Sequence, residues 1–347
     1  MTVVKADAYG HGLKQIAGLL MQSGTDVFGV ANLAEAVSIR SVGRGWPILM
    51  LGASLPDEVE QAVADEVMPT ISTIEEARWF SSAAIRQKRI VNLHLKIDTG
   101  MGRLGVEPEK TAALAKEILS LPGLKIQGIY THYAAVEDDR AFSRHQARSF
   151  ASLLQRLKRH GIDPELRHAN NSGGLMHEPR AIYNLVRPGL MVYGVVPSGR
   201  RKVQGDLQHH LKPALSWKCR VSLVKTIKPG TSLSYGRAFI ARRPMKVATL
   251  TVGYGDGYLR AGSNHAQVLV GGQRCRVLGR ITMDQTLVNV SKVDNVMAGD
   301  EAVLIGSQNA LTVTATELAA WCKTIPWEVL TAITYRVPRI YRGGQAA

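Results

Sequence analysis

A chain of 347 residues has room for two domains, each with its own core, and 45% hydrophobic against 20% charged residues is the balance of a soluble globular protein. No apolar run approaches the roughly 18 residues of a membrane span, no basic-then-apolar start marks a signal peptide, and three scattered cysteines (Cys219, Cys275, Cys322) argue against a disulfide framework or a zinc site and for a reducing cytoplasm. The net charge of +15 identifies no partner: Arg140, Arg144, Arg148, Arg156, Lys158 and Arg159 read as a solvated helix face before they read as a nucleic-acid surface.

From the start to about residue 196, short apolar runs alternate with amphipathic stretches. The runs predict strands over Val3–Ala6, Val27–Ala31, Ile48–Leu51, Met68–Ile71, Asn92–Ile97, Ile126–Thr131, Glu165–His168 and Asn184–Arg187. Helical spacing fills most gaps, as over Leu33–Val42, Ile74–Ser82, Thr111–Leu121 and Phe142–His160. This alternation predicts an α/β fold, a parallel (β/α)8 barrel over residues 1–196. Lys5, Lys96, Asp98, His132, His168 and Arg187 fall at or just after strand ends, on the face where such barrels build active sites.

After about residue 200 the texture changes to short alternating strands with Gly-rich turns: Leu215–Leu223, Lys246–Thr251, Gln267–Val270, Arg274–Leu278, Thr286–Asn289 and Glu301–Ile305. A mainly-β second domain over 197–347 is expected. Thr314-Ala-Thr-Glu317 is a capping box that opens a late helix with Leu318 and Trp321 on one face.

The most specific stretch is Val3-Val4-Lys5-Ala6-Asp7-Ala8-Tyr9-Gly10-His11-Gly12. Burying a lysine disfavours its charged form, and the same penalty makes the amine nucleophilic towards an aldehyde. A second string, Lys96-Ile-Asp98-Thr-Gly100-Met-Gly102-Arg103-Leu-Gly105, surrounds with glycines an arginine suited to grip a carboxylate. Weaker strings follow: Tyr130-Thr131-His132, His168-Ala-Asn-Asn171-Ser172, Val186-Arg187-Pro188-Gly189-Leu190, Ser234-Tyr235-Gly236, Gly253-Tyr254, Thr282-Met283-Asp284 and Tyr335-Arg336. In motif and spacing, from residue 3 to about 342, the chain resembles the alanine racemase family, pyridoxal phosphate (PLP) enzymes of fold type III. Two departures stand out: Asn170 replaces the family's second alanine, and Thr282 its Cys or Ser before the methionine. The family also carries a strand and a helix, roughly 30 residues, ahead of the matching lysine; here either the sequence starts at an internal position or another segment covers the barrel seam.

The resemblance implies PLP as cofactor and a role for each string. An α-proton is too weakly acidic for any side chain to remove unaided, and PLP supplies the electron sink. Lys5 would bond to the cofactor's aldehyde and then act as base on one face. Tyr235 would be the base on the other, reaching the site from a second subunit, so that the site is composite and the enzyme a homodimer. A tyrosine keeps its proton to a pKa of about 10, so Tyr235 needs cationic or hydrogen-bonding neighbours. Arg103 and the Met283 N–H would bind the substrate carboxylate, and Lys96 would be the carbamylation site that orients Arg103. Tyr9, Ser172, Tyr335 and the amides of Gly189 and Leu190 would bind the phosphate, with His132 stacked on the ring and His168 in support. Arg187 would donate to the pyridine nitrogen; because a guanidinium does not give up its proton, that nitrogen stays unprotonated and return of the proton to the α-carbon wins over transamination. Tyr254 and Asp284 would belong to the substrate corridor.

The expected function is interconversion of L- and D-alanine for peptidoglycan. The alternatives are a broader amino-acid racemase on the same scaffold and a PLP-binding protein without turnover. A decarboxylase is disfavoured by Arg187, because that chemistry is served by an acidic partner at the ring nitrogen.

Overall fold

In the computed structural model, which describes residues 1–178, 183–197, 199–201 and 207–342, contacts group the chain into two units. Met1–Ala8, Gly12–Val192 and Gly199–His210 form the first; Tyr9–His11, Tyr193–Ser198 and Leu211–Ala347 form the second.

The first unit is the expected parallel barrel. Its strands are short because each apolar run is buried on both faces and ends where polar residues must reach the mouth. One run of neighbours is β1 (Thr2–Val3), β2 (Phe28–Val30), β3 (Ile48–Met50) and β4 (Val67–Met68); the next is β5 (Thr70–Ile71), β6 (Val91–Lys96), β7 (Leu124–Tyr130) and β8 (Leu166–His168). β4 and β5 make one strand interrupted at Pro69, which has no N–H for the ladder but whose carbonyl accepts from His94 N–H at 2.9 Å. The strand expected over Asn184–Arg187 is reduced to a bridge between Arg187 and Asn171. There the ring closes, with Val3 N–H donating to the Pro188 carbonyl at 3.0 Å. Met1, Val27, Leu49 and Met68 form one apolar cluster inside, with Leu51 and Leu185 against it.

The helices follow their local signals. α1 is Leu13–Gln22, α2 Leu33–Arg40, α3 Val59–Ala64 and α4 Ile74–Gln87. Asn32 caps α2 by accepting from Glu35 N–H at 3.0 Å, and Thr73 and Glu76 cap α4 reciprocally. α5 is Thr111–Ser120, α6 Arg140–Arg159 and α7 Ser172–His177. On α6, Ser143, Gln146, Phe150, Leu153 and Leu157 are buried at helical spacing, while Arg140, Arg144 and Arg148 are exposed.

The second unit is built on an antiparallel sheet ordered β14-β13-β16-β9-β12-β15, with β17 on β16. Its strands are β9 (Trp217–Ile227), β12 (Met245–Leu250), β13 (Gln267–Val270), β14 (Gln273–Arg276), β15 (Thr286–Asn289), β16 (Glu301–Gln308) and β17 (Leu311–Val313); β10 (Ser232–Leu233) and β11 (Phe239–Ile240) pair as a separate ribbon. Ile227, Leu233, Ala241, Met245, Val247 and Leu278 are one of its cores. The Thr314–Glu317 box opens α8 (Ala315–Cys322) as expected, with Thr314 N–H on Glu317 Oε2 at 2.9 Å and Glu317 N–H on Thr314 Oγ1 at 3.0 Å; α9 (Pro326–Thr331) follows.

Candidate active site

The chain leaves β1 through a left-handed turn: Ala6, Asp7, Ala8 and Tyr9 have φ between +53° and +55°. Non-glycine residues resist this conformation by about 1–2 kcal/mol each, so hydrogen bonds must hold it. Ala8 N–H donates to the Val4 carbonyl at 2.8 Å, and the Asp7 carbonyl and carboxylate accept from Gly12 N–H (3.0 Å) and Leu13 N–H (2.7 Å). Glu35 on α2 takes Ala6 N–H (2.6 Å) and Ala31 N–H (2.8 Å), one on each oxygen. Lys5 stands half-buried at the strand end. Burial pushes its amine below the usual lysine range, and Arg103 and Arg187 push it further, against an opposing pull from Glu35.

Lys96 ends β6 fully buried, its Nζ without a hydrogen-bond partner and 4.6 Å from the Tyr130 ring centre. Burial, then Arg187 and Arg103, hold it well below the lysine range, against an opposing pull from Asp98. The following loop is tied by Asp98, whose Oδ1 accepts from the N–H groups of Gly100 (2.9 Å), Met101 (2.8 Å) and Gly102 (3.1 Å). Burial alone would raise the Asp98 carboxyl, but these donors keep it lowered. Gly105 (φ +117°) lets the loop return against its own strand, where a Cβ would come within 2.7 Å of the Asp98 nitrogen. Arg103, between these fixed points, is exposed.

Arg187 is fully buried. NH1 donates to His168 Nδ1 at 2.8 Å; NH2 donates to the carbonyls of Ala169 (2.8 Å) and Thr131 (2.9 Å) and lies 3.2 Å from His132 Nδ1. No described residue accepts from its Nε–H. Burial lowers it to about 10, which leaves it cationic at neutral pH. The same burial, with the arginine's charge, holds His132 and His168 well below the usual histidine range, so both rings are neutral. Ser172 opens α7, and its Oγ accepts from Gly189 N–H (2.9 Å) and Met191 N–H (3.3 Å), so the Gly189 amide expected on a phosphate is here engaged by the serine. Leu190 is buried beside it. Asn170, one of the two departures, is buried with its side-chain amide on the Glu178 carbonyl at 3.2 Å.

The remaining expected residues belong to the second unit. Tyr9 is buried, its ring 5.2 Å from that of Tyr193. Tyr235 is 71% exposed in a turn where Ser234, Gly236 and Arg237 all take positive φ. Tyr335 is 96% exposed. Tyr254 N–H donates to the Thr282 carbonyl (3.0 Å) and Gly255 N–H to the Met283 carbonyl (2.8 Å). Thr282, the other departure, closes the turn bearing Met283 by donating its hydroxyl to the Gln285 carbonyl at 2.8 Å. Arg336 ties Asp284 (2.7 Å) to Asp256 (3.3 Å).

Several residues that shape these positions are not among the expected site residues. Glu35 braces the left-handed turn, and its only visible signal is a helix start. Gln146 on α6 accepts from Ala134 N–H (3.0 Å) and donates to the His132 carbonyl (3.1 Å). Arg339 donates to the carbonyls of Gly10, Ile333, Thr334 and Val337.

The donor set fits PLP. The charges of Arg103 and Arg187 both lower the amines of Lys5 and Lys96, while the nearest carboxylates, Glu35 and Asp98, are committed to backbone N–H groups. An anionic, phosphate-bearing group with an aldehyde and a ring nitrogen relieves that crowding. A parallel barrel with such a lysine and guanidinium at its mouth, followed by an antiparallel domain, defines a PLP-dependent isomerase of the barrel class. Residues 1–197 match the family described as "Alanine racemase, N-terminal domain" and residues 214–341 "Alanine racemase, C-terminal domain". The alanine racemase of Carboxydothermus hydrogenoformans is 44% identical over 342 residues, covering 98% of this chain and 92% of the relative. Among solved structures, alanine racemase from a D-cycloserine-producing Streptomyces lavendulae superposes with a TM-score of 0.92 at 32% identity, over 99% of this chain and 90% of that one. The Bacillus anthracis alanine racemase does so at 0.89 and 33%, over 99% and 88%. The chain belongs to the alanine racemase family, whose members are PLP-dependent isomerases.

Proposed function

We propose that this chain interconverts L- and D-alanine as a cytoplasmic homodimer, supplying D-alanine for peptidoglycan. The observation that carries the reading is Arg187: its terminal nitrogens are committed to His168, Thr131 and Ala169, and its Nε–H is left as a donor. A guanidinium in that place keeps an acceptor nitrogen unprotonated, which suits rapid return of a proton better than transamination or decarboxylation. Solution of the Bacillus anthracis relative with bound L-Ala-P supports an alanine-sized ligand.

Bound at this mouth, the cofactor supplies the electron sink that makes the α-proton of an amino acid removable. Lys5 would hold the cofactor through its aldehyde, and its amine, once free, would hold or return the α-proton from one side. Its depressed amine is suited to both tasks. Tyr235 of a partner subunit serves the opposite side; its exposure, with that of Tyr335 and Met283, supports an assembly that covers this surface. Ser172, Tyr9, Tyr335, the Leu190 N–H and, once released from Ser172 Oγ, the Gly189 N–H would hold the phosphate, and His132 would lie against the ring. Arg103 and the Met283 N–H bind the substrate carboxylate. Lys96, a buried amine held below the lysine range and without a hydrogen-bond partner among the described residues, takes up carbon dioxide with release of a proton, as a carbamate whose negative charge orients Arg103. His168 supports Arg187, while Tyr254 and Asp284 shape the corridor.

The test is incubation of purified protein with PLP and L-alanine, followed by chiral analysis. D-Alanine should accumulate until the enantiomers are equal. Absence of D-alanine, or faster racemisation of a larger amino acid, would contradict the reading.

A further inference from the structure

His94 lies on β6, fully buried, and Gly128 on β7 makes room for it: a Cβ on Gly128 would come within 2.4 Å of the imidazole. Among the described residues only one ring nitrogen of His94 has a partner. Nδ1 is 2.8 Å from His168 Nε2, whereas Nε2 is buried with none. Arg187 fixes the direction of this chain. A guanidinium only donates, so His168 Nδ1, 2.8 Å from NH1, bears no proton. Neutral His168 then carries its proton on Nε2 and donates to His94 Nδ1, and His94 keeps its own proton on the partnerless Nε2. A buried N–H left unsatisfied costs on the order of 1–3 kcal/mol, a cost that a residue serving only to fill space would avoid. The neighbouring Tyr130 ring is stacked on His168 at 4.6 Å between ring centres, and its hydroxyl donates to Thr70 Oγ1 at 2.8 Å, because Thr70 Oγ1 gives its own proton to the Met50 carbonyl at 2.7 Å.

We propose that His94 is a positioning residue: by accepting from His168 Nε2–H it fixes that ring's tautomer and orientation, and so keeps the Arg187 guanidinium anchored with its Nε–H available to the cofactor's ring nitrogen. The proposal rests on the role given to Arg187 above. Without His94, His168 has no acceptor for Nε2–H. Its proton can move to Nδ1, where an N–H would face the N–H of Arg187, turning an anchor of the guanidinium into a repulsion.

Histidine labelled with 15N reports the tautomer directly in the cofactor-free protein, with His168→Asn to assign the signal. Wild-type His168 should show an unprotonated Nδ1 and a protonated Nε2. His94→Phe keeps the ring volume without the acceptor and should lose that pattern. In the PLP-loaded enzyme it should lower kcat by about tenfold or more, with KM for alanine within about twofold. His94→Asn places an amide oxygen near the former Nδ1 and should restore both the pattern and kcat. A purely structural role would move thermal stability in both variants and leave the His168 pattern alone. A wild-type His168 protonated on Nδ1, or an unchanged pattern and kcat in His94→Phe, would overturn the proposal. Should His94→Phe fail to fold, loss of the pattern in His94→Asn would do the same. A wild-type protein that keeps the pattern but does not racemise alanine would fault the site reading and leave the histidine chain standing.

Discussion

At the barrel mouth burial comes first, and the charges of Arg103 and Arg187 add to it, in lowering the amines of Lys5 and Lys96 below the usual lysine range. Lys96 gives this a measurable form. Its unfolded pKa is 10.5 and its folded value lies well below, so between the two the unfolded chain binds more protons and stability rises with pH, by at most about 1.4 kcal/mol per unit. In cofactor-free protein and carbon dioxide-free buffer, the urea midpoint should therefore increase from pH 7 to pH 9. Lys96→Met should flatten that increase; an unchanged slope would show that Lys96 is charged in the folded protein. The sequence exposes such residues where ten-residue strings carry them, as with Lys5, Lys96 and Arg103. It does not expose His94 or Glu35, whose partners His168 and Ala6 lie 74 and 29 residues away. A lone histidine in an apolar run, or a glutamate in a first helical turn, looks the same whether or not it serves a site.

The strand expected over Val3–Ala6 stops at Val3, because the backbone turns left-handed immediately after Lys5. Propensity gives no warning of this: Ala, Asp, Ala and Tyr in that conformation are held by Glu35 and by the Asp7 bonds, which only the folded chain supplies. Ala6, exposed at φ +53°, therefore stores strain. Ala6→Gly should stabilise the protein by up to about 1 kcal/mol, seen as a higher urea midpoint; a lower midpoint would mean that the turn is unstrained. The loop after β6 works in the opposite sense. Gly105→Ala would bring a methyl against the Asp98 nitrogen and the Ile97 carbonyl carbon, displacing Arg103, so KM for alanine should rise about tenfold or more; an unchanged KM would remove Arg103 from the carboxylate site. The Thr314–Glu317 capping box, by contrast, is legible as local sequence and forms as its spacing implies. The last barrel strand was legible only in part, because Pro188 and Gly189 shorten it to one bridge and the closing bond comes from Val3.

At the scale of the whole molecule, the chemistry is divided. The cofactor lysine, the guanidinium and the neutral histidines belong to the barrel unit, while Tyr235, Met283 and Tyr335 belong to the β unit. The division into a barrel and a mainly-β half was visible in the change of strand texture near residue 200, since alternation with helices and alternation of faces are different periodicities. Assembly leaves no such periodicity in one chain, and the dimer rests on the exposed aromatics and on the family. If Tyr235 of one subunit serves Lys5 of another, each dimer has two sites, and each site draws on both chains. The decisive measurement is to mix Lys5→Ala protein with Tyr235→Phe protein, each nearly inactive alone, under conditions that exchange subunits, and to assay D-alanine formation. Random pairing leaves one intact site in half the dimers, so activity should return to roughly a quarter of wild type. No recovery at any mixing ratio, with exchange verified, would contradict a site shared between two subunits.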